Sequence, residues 1–269
     1  MSAWEAPKPP VLPPTPATRA VRVVASNLDR VPDTSAARAS AAFHRGTIVS
    51  CAVSVDGYLD DATPNRLILS GPEDLDEVDA LRAEADAILV GAGTIRKDNP
   101  RLLVRDPARV TTRRAAGKSP HPKRVTLTSS GDLSPDANFF AGPGIPLVYC
   151  PANSSAMVRE HLGNIADVIG VAPELTVAAV VADLYRDRGV TTLLVEGGAR
   201  ILRDLLAANL VDELRLAIAP FFVGDESAPR FALPARYPHD SSAPMALVDV
   251  RRLGDLVVAH YRLPARSAY

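Results

Sequence analysis

The chain has 269 residues, of which 47% are hydrophobic, and its formal net charge is −1. This size and composition suit one large α/β domain or two small ones, and the near-zero charge argues against a general nucleic-acid or acidic-membrane partner. Because no apolar run approaches the roughly 20 residues of a membrane span and the N-terminus lacks a secretory pattern, we expect a cytoplasmic protein.

The first 42 residues differ in composition from the rest of the chain. Residues 1–20 contain six prolines and little periodicity, which predicts an extended arm. A short β-like run and an Ala/Arg-rich segment of weak helical character follow over 21–42. We therefore predict an N-terminal extension over 1–42 and one ordered domain over 43–269.

The ordered domain opens with a β-rich run over 47–55, which a turn with Gly57 ends. Residues 70–73 (SGPE) predict a capping box at the start of a helix. The buried stripe of this helix is predicted to contain Leu75, Val78, Leu81 and Ala85. Arg82 lies at the edge of that stripe, where it can reach into a cleft or pair with a nearby acid. The candidate partners along the chain are Asp79, Glu84 and Asp86.

A second apolar strand, over 87–90, ends in small residues. The run Gly91-Ala92-Gly93 lets a backbone or a cofactor approach closely, and Thr94 offers a hydroxyl. Asp98-Asn99-Pro100 then predicts a turn, because proline stops a helix. Arg105 can grip a phosphate with its planar guanidinium, although a lone arginine is more often a solvated surface charge.

The middle of the chain alternates between strand and helix patterns. A polar, basic loop is predicted over 106–122, followed by a strand over 124–128 that ends in the hydroxyls of Ser129 and Ser130. Further strands are predicted over 147–150 and 165–171, and helices over 154–162 and 176–187.

The motif LLVEGG joins a strand over 193–195 to Glu196, two glycines and a helical pattern. Gly197 and Gly198 let backbone N–H groups approach a phosphate, and the helix N-terminus adds partial positive charge. Glu196 falls at the carboxyl end of the strand, where open α/β sheets hold their ligands. A plain helix start with a surface glutamate is the alternative. An apolar strand over 214–223 follows.

The chain closes with strands over 246–250 and 256–263, whose short connection predicts an antiparallel hairpin. The β–α alternation before it predicts an α/β fold with a mostly parallel central sheet. The G-x-G-x-x-G pattern is missing, because Arg96 stands where Gly91-x-Gly93 would need its third glycine. A dinucleotide would therefore need another arrangement of glycine turns.

The positions of the cysteines and histidines indicate which redox state and which metal sites to expect. Cys51 and Cys150 both lie in apolar runs, so we expect buried, free thiols in a reducing compartment. The five histidines are widely spaced and no C-x-x-C occurs, so no metal site is predicted.

Taken in order, four segments resemble the reductase domain of riboflavin biosynthesis, which is related to dihydrofolate reductase in fold. The segments are SVDG (54–57), LRAEADAILVGAGTIRKDNPRLLVR (81–105), LLVEGG (193–198) and LVDELRLAIAPFFVG (210–224). The resemblance covers roughly residues 45–263. It implies a three-layer, dihydrofolate-reductase-like α/β fold with an antiparallel C-terminal hairpin.

The resemblance also implies a reaction: NADPH reduces 5-amino-6-(5-phosphoribosylamino)uracil, the sugar ring opens, and the ribosyl group becomes ribityl. The residues expected to contact NADPH are Ala52, Gly91, Gly93, Thr94, Asp98, Ser129, Gly197, Gly198 and Ala199. Those expected to contact the phosphorylated substrate are Arg66, Arg82, Leu102, Arg105 and Glu196. We expect Asp98 to lie nearest the reaction and Glu196 to orient the sugar hydroxyls. Basic and hydroxyl groups over 123–130 would suit a 2′-phosphate.

Two departures keep other functions open. Many members carry lysine where this chain has Ser50, and Arg66 belongs to a segment that also differs. A related reductase acting on a pterin-like, folate-like or secondary-metabolite substrate is therefore an alternative, and a non-catalytic nucleotide-binding protein is a more remote one. The H-A-E and P-C-x-x-C motifs of a zinc deaminase are missing, so we expect a stand-alone reductase. The resemblance implies a homodimer, for which 214–223 and the terminal hairpin are candidate interfaces.

Overall fold

The computed structural model describes residues 46–264. The predicted extension over 1–42 lies outside the described residues, so the domain boundary stays a prediction. The described part contains a nine-stranded sheet. Its strands are β1 (Gly46–Ser54), β2 (Ala87–Gly91), β3 (Lys123–Leu127), β4 (Leu147–Pro151), β5 (Asp167–Val171), β6 (Thr192–Gly197), β7 (Glu213–Ala219), β8 (Ala246–Leu253) and β9 (Leu256–Arg262).

The strands follow the order β5-β4-β3-β2-β6-β1-β7-β9-β8 across the sheet. The seven strands from β5 to β7 run parallel, and β9 pairs antiparallel with both β7 and β8. The predicted mostly parallel sheet with an antiparallel C-terminal hairpin is confirmed. β7 stops at Ala219, earlier than the predicted 223, because Pro220 has no N–H to continue the ladder.

Six helices connect these strands in the described part. They are α1 (Pro72–Glu84), α2 (Ala92–Asp98), α3 (Pro107–Ala115), α4 (Ser155–Leu162), α5 (Val177–Asp187) and α6 (Ala199–Ala207). None of them is both long and apolar enough to cross a bilayer.

Two apolar cores lie on opposite faces of the sheet and make the fold three-layered. Successive strand residues alternate between them, because strand side chains point to opposite faces. In β2, Leu89 packs into the core that contains Leu184 of α5 and Leu202 of α6, whereas Ile88 packs into the core that contains Val158 of α4. Because both faces are covered, the parallel strands read as nearly continuous apolar runs.

The structure corrects two local predictions. α3 lies where a loop was expected over 106–122; the Asp106 side chain caps it by accepting from the N–H of Ala108, and Pro107 fits its first turn. The expected capping box at 70–73 does not form. α1 is instead capped by Gly71 without a side-chain bond, because Pro72 at its first position places Glu73 one residue too early.

The stripe predicted for α1 is only partly buried. Leu81 and Ala85 lie in the core, while Leu75 and Val78 are half-buried and line a cavity. α1 therefore contributes to the functional site as well as to the core.

Candidate active site

A cavity of about 670 Å³ opens at the carboxyl edge of the sheet. The ends of β2, β3 and β6 and the second half of β1 form its walls, together with α1 and the start of α6. The loops that leave β2, β3 and β6 therefore converge on one pocket. This is the edge where open α/β sheets bind ligands, and the volume suits a small molecule with a cofactor.

Most of the residues singled out in the sequence line this cavity. They are Ala52, Arg66, Arg82, Gly91, Gly93, Thr94, Asp98, Ser129, Glu196, Gly197, Gly198 and Ala199. The strand ends bring them together from across 148 positions of the chain (52 to 199). Their individual roles in binding stay predictions.

Leu102 and Arg105 do not line this cavity, and their predicted substrate contacts stay predictions. Leu102 is buried in an apolar core. Arg105 contacts α1: its backbone N–H donates to Oδ1 of buried Asp79 (2.6 Å) and its Nη2 donates to the carbonyl oxygen of Leu75 (2.6 Å). The buried carboxylate of Asp79 needs hydrogen-bond donors, and the backbone N–H of Arg105 is one of them.

Glycines allow two chain segments to touch backbone to backbone at the cavity wall. Gly198 has a φ of 98°, and a Cβ added there would lie 3.3 Å from both the N and the Cα of Gly91. Only glycine fits this crossing without strain. α6 begins at the next residue, so its N-terminus and partial positive charge face the cavity, where Ala199 and Arg200 form part of the lining.

Glu196 is presented by an irregularity in β6. The strand pairs with β2 through Val195 opposite Leu89 and then through Gly197 opposite Val90, so Glu196 is skipped in the ladder. Such irregularities redirect side chains next to active sites. The sequence predicted that this strand ends at 195. β6 continues to Gly197, because the strand resumes after the irregularity at Glu196.

The carboxylate of Glu196 forms a bidentate ion pair with Arg82. Nε donates to Oε1 at 2.6 Å and Nη2 donates to Oε2 at 2.5 Å. Burial disfavours the charged guanidinium, but the Glu196 carboxylate outweighs burial and raises the pKa of Arg82. Asp79, Glu84 and Asp86, the candidate partners named from the sequence, do not form this ion pair. The pair joins α1 to β6 at the cavity wall.

Asp98 ends α2 and lies half-buried in the cavity lining. Burial raises the pKa of its carboxyl group; the charge of Arg66 opposes that effect and the charge of Asp60 adds to it. No hydrogen bond to Asp98's carboxylate is formed by another residue in 46–264. A carboxyl group with these properties can hold a proton at a higher pH than usual.

A buried polar cluster that the sequence did not reveal lies beside these groups. Arg215 of β7 donates from Nη2 to Oδ1 of Asp74 at 2.6 Å, and both side chains are buried. Ser50, the register partner of Arg215 in β1, lines the cavity with a buried Oγ that has no hydrogen-bond partner in the described part. In the sequence, this cluster is indicated only by Arg215, which interrupts the apolar run 214–219. Asp74 lies among several acids at the start of α1, and its position in the sequence does not single it out.

Positive charge reaches the cavity from one expected and one unexpected position. Arg66, which was expected, and Arg200, which was not, both line it, and neither makes an ion pair with a residue in 46–264. The basic group expected near 123–130 is not available, because Arg124 lies at the opposite end of β3 and donates to backbone carbonyls there. The hydroxyls of the same stretch, on Ser129 and Ser130, do line the cavity, and a contact between this stretch and a 2′-phosphate stays a prediction.

Comparisons with known proteins agree with this architecture. Residues 45–258 match the family described as RibD C-terminal domain. A 2,5-diamino-6-ribosylamino-4(3H)-pyrimidinone 5′-phosphate reductase of Archaeoglobus fulgidus is 34% identical over 181 residues, which are 67% of this chain and 83% of the relative. The reductase of the same name from Aquifex aeolicus is 34% identical over 191 residues, or 68% and 80% of the two chains.

Solved structures show the same fold. A pyrimidine reductase-like protein of Corynebacterium diphtheriae has a TM-score of 0.65 at 24% identity and covers 82% of this chain and 92% of its own. A deaminase/5-amino-6-(5-phosphoribosylamino)uracil reductase of Thermotoga maritima has a TM-score of 0.65 at 21% identity, covering 82% of this chain and 57% of its own.

Proposed function

The chain belongs to the RibD C-terminal domain family, and we therefore propose that it reduces the ribosyl group of a phosphoribosylamino-pyrimidine to ribityl in riboflavin biosynthesis. The two relatives at 34% identity are named as reductases of 2,5-diamino-6-ribosylamino-4(3H)-pyrimidinone 5′-phosphate. One structural observation carries the proposal: the Arg82–Glu196 pair, the Asp98 carboxyl and the Gly91–Gly198 crossing line one cavity. None of these three features would support the proposal on its own.

The substrate that we propose is the 2,5-diamino-pyrimidinone rather than the uracil implied by the sequence resemblance. The two compounds differ at one ring position, which carries an amino group in the first and an oxygen in the second. The relatives named for the diamino compound match this chain over about four-fifths of their own length. The neutral hydroxyl of Ser50 can accept from an amino group or donate to an oxygen, so it is compatible with either.

We propose NADPH as the cofactor, and its nicotinamide would supply the hydride. The residues fit such a group: the Gly91–Gly198 crossing leaves no side chain in the way, and the N-terminus of α6 suits a pyrophosphate. Thr94 and Ser129 offer hydroxyls at neighbouring strand ends. Arg200, on the first turn of α6, makes no ion pair within residues 46–264 and would attract the phosphates.

The side chains of the cavity would position the sugar and move a proton. Opening the sugar ring breaks the bond between C1′ and the ring oxygen, a C1′=N bond forms, and the ring oxygen needs a proton. The Asp98 carboxyl, with its raised pKa, would donate that proton. Oxygens of Glu196 that are fixed by Arg82 would accept from sugar hydroxyls, and Arg66 would bind the 5′-phosphate.

We further propose that the enzyme works as a cytoplasmic homodimer. β7 lies between β1 and β9 inside the sheet, so its backbone edges are not open to a partner, whereas Phe222, beyond the end of β7, is exposed. The terminal hairpin offers the edge strand β8, where Leu247 and Val250 are exposed, so both expected regions remain candidate contacts. An exposed edge strand with apolar side chains is a common pairing surface.

The experiment compares both pyrimidines, and a pterin-like compound, as substrates of the purified chain with NADPH and with NADH. The proposal predicts the highest kcat/KM for the diamino compound with NADPH. Preference for the uracil would overturn the choice of substrate, and turnover of the pterin alone would favour a related reductase. Cofactor binding without any turnover would contradict an enzymatic role.

A further inference from the structure

A second cavity, of about 340 Å³, lies at the opposite edge of the sheet. It is placed at the amino ends of β2 and β3, beside α3 and the loop that precedes β4. Its charged lining residues are Arg113, Lys118, Lys123, Arg124 and Asp86, and the neutral imidazole of His121 lies among them. Among the described lining residues, positive side chains thus clearly outnumber acidic ones.

Two buried arginines in this wall have no carboxylate partner among residues 46–264. Arg113 donates to the carbonyl oxygens of Ala83 and Ala85 at 2.7 Å each. Arg124 donates to carbonyl oxygens of the loop, including that of Gly144 at 2.5 Å. Carbonyl dipoles satisfy these donors, while the charge of Asp86 compensates that of Arg113 only in part. Burial accordingly lowers the pKa of both groups.

Several donors at this cavity remain unused within the described part of the chain. Nη2 of Arg113 and the ammonium of Lys123 make no hydrogen bond to the residues that the structure describes. Nδ1 of His121 accepts from the N–H of Val104 (3.2 Å), so the proton of the neutral imidazole is on Nε2. Of the basic residues that line this cavity, only Lys118 forms an ion pair with another described residue, Asp86, at 2.9 Å.

We propose that this cavity binds the phosphate group of a small molecule. Phosphate presents several acceptor oxygens and negative charge, which match the unused donors and the guanidinium groups. Pro122, Pro143 and Ile145 add apolar wall for the rest of the ligand. The volume is at the lower end of the roughly 300–1,000 Å³ typical of ligand sites. This site is separate from the reductase cavity and does not depend on the proposed reaction.

Calorimetric titration of the full chain with inorganic pyrophosphate at constant ionic strength tests the proposal. K123E, at the exposed start of β3, should weaken binding about tenfold or more, because it reverses a charge that faces the anion. R236E carries the same charge change at an exposed residue that does not line this cavity, and it should leave this binding within about twofold. Unchanged binding in K123E, or equal losses in both variants, would overturn the proposal.

A spectroscopic readout locates the bound anion independently. Burial lowers the pKa of His121, and Arg113 and Arg124 add to the effect. A phosphate bound beside Nε2 favours the imidazolium, so pyrophosphate should raise the pKa of His121 measured by NMR. His239, whose pKa burial also lowers, is the internal control because it does not line this cavity. An unchanged His121, or the same change at both histidines, would refute the site.

Discussion

Arg82 and Glu196 are 114 positions apart in the chain and meet in a two-bond ion pair at the wall of the reductase cavity. Their side chains are 16% and 10% exposed, so water screens the pair only weakly. The pair fixes both groups before any ligand arrives. This preorganisation is the basis of the role that we propose for Glu196.

E196Q should lower kcat/KM about 100-fold, because the sugar hydroxyls lose a fixed anionic acceptor and the substrate is misplaced. The variant keeps the shape of the side chain but leaves the Arg82 charge without a counterion. It should therefore also lower the free energy of unfolding by about 1–3 kcal/mol. Steady-state kinetics and urea unfolding measure the two effects.

D76N is the matched control for this change. Asp76 also forms a bidentate pair, with Arg109, but on the outer side of α1 and more exposed to solvent. Its loss should leave kcat/KM unchanged and cost at most about 1 kcal/mol of stability. Equal loss of activity in both variants would show that the Glu196 effect is structural.

D98N should reduce kcat about 100-fold or more, because the asparagine cannot donate the proton that ring opening needs. In the wild type, kcat should decrease as the pH rises through the raised pKa of Asp98, and this limb should vanish in the variant. The pH profile of kcat measures both. Retention of full turnover by D98N would remove Asp98 from the mechanism.

D98N should lower kcat but raise the thermal stability of the protein at neutral pH. A raised folded-state pKa contributes stability at pH values below the unfolded pKa, and that contribution is lost as the pH rises through the folded pKa. At neutral pH the charged Asp98 is therefore a cost, and D98N should have a higher Tm than the wild type there but not at low pH. D136N, on an exposed loop, should show no such difference.

The sequence predicted the strand–glycine–helix junctions well, because glycines at strand ends restrict what the backbone can do there. It did not predict the Arg215–Asp74 pair, since the partners are 141 positions apart and their meeting depends on how α1 packs against β7. The partner of Arg82 was missed for the same reason. Such pairings are fixed by tertiary packing, which local patterns do not encode.

α3 shows a different limit of the sequence patterns. Its residues are mostly polar and basic, so the segment resembled a loop. The helix is stabilised instead by its Asp106 cap and by the hydrogen bonds of buried Arg113 to the last turn of α1. Arg105, whose predicted substrate contact stays a prediction, is positioned by bonds to Asp79 and to the carbonyl oxygen of Leu75 that local patterns did not indicate.

S50A should raise the KM for the pyrimidine about three- to tenfold with little change in stability, because its buried hydroxyl has no partner in the described structure. T126V is the matched control: Thr126 Oγ1 is equally buried and unpartnered in that part of the chain but does not line the cavity. Its KM should equal that of the wild type. A raised KM in T126V, or an unchanged one in S50A, would remove Ser50 from the binding site.

G93A tests whether a cofactor packs against α2. A Cβ added at Gly93 meets nothing within 4 Å, and alanine favours the helix, so the free protein should be stabilised by about 0.5 kcal/mol. If NADPH contacts this face, the same methyl group should weaken its binding. Thermal unfolding with and without NADPH compares the two effects. An unchanged NADPH-induced rise in Tm would exclude the contact.

D86N should destabilise the fold at neutral pH. Burial opposes ionisation of Asp86, but hydrogen bonds from Lys118 and Thr191 outweigh it and lower its pKa to about 2. Its contribution is therefore present above the unfolded pKa and lost as the pH falls through about 2. After allowance for solvent screening we expect a loss of about 1–2 kcal/mol at pH 7. Denaturant unfolding at several pH values should show the difference from the wild type shrinking in acid; a constant difference would contradict the assignment.

The most direct test of the reductase assignment follows the hydride itself. The purified chain is incubated with the diamino-pyrimidinone phosphate and NADPH carrying deuterium at both positions of the nicotinamide C4, and the product is examined by mass spectrometry and NMR. The reductase assignment predicts a ribityl product with deuterium at C1′, formed about 100-fold more slowly by E196Q and D98N. A product without deuterium at C1′, or no reduction of either pyrimidine by the wild type, would contradict it.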